Sequence, residues 1–177
     1  MGAGHAVSGA FGGLAMAAIL WLLLTPLRTL PPALVAYVMV AGLAASASLA
    51  DLGVVHLPRQ RRQVPQRWWR TYGPIRSYAL YGFWLGAGLV TNITYMVELV
   101  VLVGAGVLLP LHEAMLIGAI FGLGRTAPVG PLAASPRLAT WWGDRVYGGE
   151  TTLALRTSAI LSAGLALLAG AHVIEAL

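Results

Sequence analysis

The chain has 177 residues, eleven of them basic and six acidic, with a net charge of +5, no cysteine and a mean hydropathy of +0.78. A water-facing domain carries about 25% charged residues. The 10% present here excludes a soluble globule, and the missing thiols exclude disulfides, thiolate metal sites and thiol redox chemistry. All the basic residues are arginine, which in so apolar a chain points to topology and lipid phosphates rather than to nucleic acid.

The apolar runs reach spanning length, about 20 residues at 1.5 Å rise each. The first span is predicted over 6–24 and closes at Thr25-Pro26, where proline removes a backbone donor and biases the residue before it away from helix. No basic residue precedes this run and no small-x-small cleavage site follows it, so it reads as a permanent span rather than a signal peptide. A short outer turn with Arg28 leads into a second span over 33–55, rich in small residues such as Ala41, Gly42, Ala44 and Ser48 that let helices approach closely. Asp51 lies near its inner end.

The loop at 56–76 holds Arg59, Arg61, Arg62, Arg67, Arg70 and Arg76 with no acidic residue, a bias that retains short loops on the cytoplasmic side. Trp68, Trp69 and Tyr72 suit the headgroup level. From Ser77 to Gly124 no arginine occurs, a stretch that fits two spans with a turn at Leu109-Pro110-Leu111-His112-Glu113. The third span, 77–109, is longer than the hydrocarbon core, and a break or strong tilt at its polar patch Thr91-Asn92-Ile93-Thr94 reconciles length with thickness. The fourth span covers 113–129. A second inner loop, 130–151, carries Arg137, Arg145, Trp141 and Trp142, and the fifth span covers 152–172. The expectation is an all-α integral membrane protein of about five transmembrane helices, one domain over 1–177, in a bacterial cytoplasmic (inner) membrane with its N-terminus inside and its C-terminus outside.

Thr91, Asn92 and Thr94 carry hydrogen-bonding groups that hydrocarbon does not satisfy. They suit a substrate or ion site at an unwound helix, or equally a set of interhelical hydrogen bonds worth about 0.6–2 kcal/mol each. Glu98, about 1.5 turns further on, is an intramembrane carboxylate and so a functional candidate, a proton carrier or a paired side chain near the outer interface. The candidate substrate-binding set is thus Thr91, Asn92, Thr94 and Glu98. Arg59, Arg61, Arg62, Arg67, Arg70, Trp68 and Trp69 form the candidate contact with anionic lipid or an acidic partner, the alternative being a solvated topology determinant. The histidines, His5, His56, His112 and His172, are scattered, and no metal motif, nucleophile elbow or phosphate-binding glycine loop occurs. No catalytic residue and no metal ligand is assigned.

Three stretches together resemble the transmembrane module of the CcdA/DsbD family, which passes reducing equivalents across bacterial membranes. They are Tyr81-Gly82-Phe83-Trp84-Leu85-Gly86-Ala87-Gly88-Leu89-Val90-Thr91-Asn92-Ile93, the run from Pro110 to Pro128, and the arginine-rich loop. The likeness covers about 6–171 and implies a helical membrane scaffold with that loop in the cytoplasm. The family's first helix, with one redox cysteine, has no counterpart, and Asn92 stands where the second cysteine would be. Asparagine forms no mixed disulfide, so thiol–disulfide exchange is not implied. The sequence therefore leads to a non-catalytic subunit or assembly partner of a bacterial membrane complex, contacting the lipid bilayer and other membrane subunits. The alternatives are a small-solute or ion transporter using the third span, and redox transport with a haem or quinone held by a ligand such as His112.

Overall fold

A computed structural model describes residues 2–29, 33–56, 68–88, 95–128, 135–138, 140–141 and 151–175. The described residues include, in chain order, the helices α1 (Gly2–Leu23), α2 (Thr25–Thr29), α3 (Ala33–Asp51), α4 (Trp68–Ala87), α5 (Met96–Leu108), α6 (Leu111–Thr126) and α7 (Thr151–Glu175), and no strand occurs among them. Three stretches within them, Gly4–Leu23, Leu34–Asp51 and Ala154–Ile174, are long and apolar enough to cross a membrane; α5 is apolar but shorter.

Burial is inverted relative to a soluble core. The interior is small: Ala17, Ala44 and Ala114 are wholly buried, whereas Leu23, Ile160, Leu167 and Ile174 lie mostly exposed. With hydrocarbon outside, expelling large aliphatic side chains from solvent gains nothing, and tight backbone approach through small residues carries the packing.

The helix ends follow from local chemistry. At the C-terminus of α1 the Trp21 carbonyl accepts from Thr25 Oγ1 at 3.0 Å and from Arg28 Nη2 at 2.5 Å, and the Arg28 guanidinium lies 3.6 Å over the Trp21 ring. A cation on the last carbonyls complements the helix dipole. Gly73 interrupts α4 with φ 70°, ψ 173°, conformations closed to a residue with Cβ, and Pro74 restarts the helix at the position where its missing N–H costs nothing. Pro110, at φ −60°, precedes α6 directly, so the turn is confined to Leu109 and Pro110 while His112 and Glu113 join the first helical turn, where a carboxylate is favoured.

The long third span predicted over 77–109 is two helices. α4 ends at Ala87, Gly88 has φ +69°, Tyr95 is extended, and α5 begins at Met96. α4 also starts earlier than expected, at Trp68 inside the predicted 56–76 loop, because the Gly73–Pro74 kink lets a polar first turn join an apolar helix. The second predicted span shortens to Ala33–Asp51, ending just before Gly53 with its positive φ.

α1 packs chiefly on α6 and α4, and α3 chiefly on α7; α5 lies between the two sets, touching α1, α3, α6 and α7. α1 and α6 meet backbone to backbone. A Cβ on Gly13 would overlap the Gly118 carbonyl and the Gly122 nitrogen, and one on Gly122 would overlap the Gly9 carbonyl. Gly86 of α4 abuts the Gly9 carbonyl in the same way.

Candidate functional site

A buried polar centre forms where α5 begins. Asp51, the last residue of α3, is 5% exposed, and its Oδ2 accepts from the Met96 backbone N–H at 3.0 Å and from Ser158 Oγ at 2.5 Å. Ser158 Oγ in turn receives the Val97 N–H at 3.4 Å. Tyr95, at the N-cap, gives no side-chain cap, so the first amides of α5 are met by residues from α3 and α7 instead. A carboxylate there satisfies orphan donors and complements the positive end of the helix dipole.

Beside this cap, Glu98 Oε2 accepts from Arg125 Nη1 of α6 in an ion pair whose side chains are 19% and 14% exposed. The Arg125 guanidinium also faces the Phe121 ring, 5.6 Å from its centroid. The centre thus joins α3, α5, α6 and α7 through two carboxylates, one guanidinium, one hydroxyl and two backbone amides. Chemically it can neutralise charge and hold helix ends in register.

Of the residues singled out from the sequence, Glu98 belongs to this centre. Thr91, Asn92 and Thr94 lie outside the described residues, as do Arg59, Arg61, Arg62 and Arg67. Trp68, Trp69 and Arg70 sit on the first turn of α4, with their side chains outside the described set. His112 is highly exposed, 3.8 Å from Glu113. Sequence reasoning missed the partners Asp51, Arg125 and Ser158. The first two carried a readable signal, an ionisable residue at the end of an apolar run; a serine in a helix rich in small residues carried none.

Two further features lie away from this centre. His5 is 2% exposed; its Nδ1 donates to the Tyr78 carbonyl at 2.9 Å and its ring stacks on Tyr81 at 5.4 Å. An apolar cleft of about 370 Å³ runs along α5 past Val100, Gly104 and Leu168 to Tyr37 and His172, whose rings are 5.1 Å apart. Among the described residues no group of three or more His, Asp or Glu side chains is placed to hold a metal ion. No family model matches the chain, and neither a curated protein nor a solved structure is detectably similar to it.

Proposed function

We propose that this protein is a non-catalytic integral membrane subunit, an assembly partner for other proteins of a bacterial inner membrane. In this reading α1, α3, α4 together with α5, α6 and α7 make five crossings, with the arginine-rich loops in the cytoplasm. The scaffold is CcdA/DsbD-like without redox cysteines. The observation that carries the proposal is the commitment of Asp51, Ser158, Glu98 and Arg125 to one another and to the start of α5. These groups fasten four helices, which is what a scaffold requires of them. The outward-facing Ile160, Leu167 and Ile174 offer surface to lipid or to neighbouring subunits.

The test is affinity purification of the tagged protein in mild detergent, with mass spectrometry and an absorbance scan of the eluate. Stoichiometric membrane partners support the subunit reading; a colourless, monodisperse, lone protein overturns it.

A second reading, a small-solute or ion carrier, draws support from the second helix start inside the predicted third span, with Glu98 in the first turn of α5. Helix termini within the membrane are where carriers bind charged cargo. It predicts that Asn92→Ala or Glu98→Gln abolishes flux in reconstituted vesicles while expression is maintained. Unchanged flux in both variants removes it.

A further inference from the structure

A second recess of about 440 Å³ opens between α1 and α4. Its walls are Ser8 and Phe11 of α1 and Tyr72, Arg76, Ala79, Leu80 and Phe83 of α4. The recess has direction. Arg76 stands three residues beyond the Gly73–Pro74 kink, at the end of the chain's arginine-rich stretch, and Phe83 lies against Gly12, in the middle of the apolar stretch Gly4–Leu23. The seven residues from Arg76 to Phe83 advance about 10 Å along the helix axis. The recess surface is carbon throughout, with the aliphatic stem of Arg76 at one end and its guanidinium outside.

The charge on the two helices that form the recess is one-signed. α1 and α4 contain no acidic residue, and none occurs anywhere between Asp51 and Glu98, while Arg70 and Arg76 both lie on α4. Arg76 is exposed, and among the described residues it takes part in no hydrogen bond or ion pair. Tyr72, 47% exposed, lines the recess from the other side of the Gly73–Pro74 kink, and the neighbouring Ile75 is 76% exposed. A guanidinium forks onto two phosphate oxygens, and the apolar recess beneath receives a hydrocarbon chain.

We propose that this recess is a binding site for one anionic glycerophospholipid of the cytoplasmic leaflet, its phosphate on Arg76 and Tyr72 and an acyl chain along Phe11, Leu80 and Phe83. The inference rests on the membrane orientation proposed above and adds to it a defined lipid site. The Gly73–Pro74 kink lies between the two residues proposed to hold the phosphate, Tyr72 and Arg76.

Delipidated protein in detergent is titrated with phosphatidylglycerol, with phosphatidylcholine of the same chains and with inorganic phosphate, and bound lipid is counted by native mass spectrometry. Phosphatidylglycerol is expected to bind about fivefold more tightly than phosphatidylcholine, the worth of one arginine near a charged headgroup. Arg76→Gln removes that preference, and Ala79→Trp, which fills the recess without touching charge, weakens both lipids alike. A preference that survives Arg76→Gln, or lipid binding unchanged by Ala79→Trp, in variants with the parent's thermal midpoint, overturns the proposal, as does inorganic phosphate competing with phosphatidylglycerol at equal concentration. Membrane-embedded protein with no lipid preference defeats the site alone; protein that stays in the aqueous fraction without detergent defeats the membrane reading as well.

Discussion

α1, α4 and α6 meet through glycine, with carbonyls and amides of one helix against those of the next. α3, α5 and α7 meet through alanine, serine and valine, around the Asp51 carboxylate. At Gly9, Gly12, Gly13, Gly86, Gly118 and Gly122 the first set gains close approach and tolerates no bulk. In the second, Cβ atoms built on Gly42 of α3 and on Gly164 and Gly170 of α7 meet nothing. Its register is set by directional polar contacts at one end rather than by steric fit along the length. Close backbone packing, with the His5–Tyr78 hydrogen bond beside it, holds one set together, and a few hydrogen bonds at one end align the other.

The contrast is broken most severely by Gly13→Leu. Its side chain would occupy the Gly118 carbonyl, so the loss exceeds the roughly 1–3 kcal/mol usual for overpacking, and folded protein should not be recovered by size exclusion in detergent. Arg125→Gln comes next, because it leaves Glu98 mostly buried and unpaired at a cost of about 3–5 kcal/mol. The double variant with Glu98→Gln should regain much of that loss, which a double-mutant cycle on detergent melting midpoints reads directly. Asp51→Ala strips an acceptor from Met96 N–H and Ser158 Oγ and should cost about 1–3 kcal/mol, with Asp51→Asn milder because it keeps a side-chain oxygen. Gly170→Ala sharpens the comparison from the other side: it meets open space and should stay within about 1 kcal/mol of the parent, on the stabilising side. Equal melting midpoints for Gly13→Leu and Gly170→Ala would erase the distinction between the two sets.

The helical class was legible because apolar runs, prolines and arginine clusters are local signals, and the turn at Pro110 is fixed by one residue. The interruption of the third span was legible from its length together with the polar patch at 91–94; α4 ends at Ala87 and α5 starts at Met96, and the patch itself lies outside the described residues. The glycine pairs Gly9/Gly13, Gly82/Gly86 and Gly118/Gly122, each four apart, stood in plain sight; which helix each pair meets depends on tertiary arrangement and had no local signature. The same holds for the polar centre. Glu98 was identified by its chemistry, whereas its partner Arg125 lies 27 residues away and Ser158 lies 107 residues from Asp51. A serine among alanines looks alike whether it faces lipid or seals a helix end.

That last separation has a temporal consequence. α5, at 13 residues or about 20 Å, is too short to cross a bilayer core of about 30 Å on its own. Its first amides depend on an acceptor made before it and a hydroxyl made long after it. During synthesis the Val97 amide therefore stays without its Ser158 acceptor until α7 has been made and has docked on α3. α7 is the closing piece for the start of α5, and a nascent chain stopped short of residue 158 should be recognised as unfinished by the membrane's quality-control proteases.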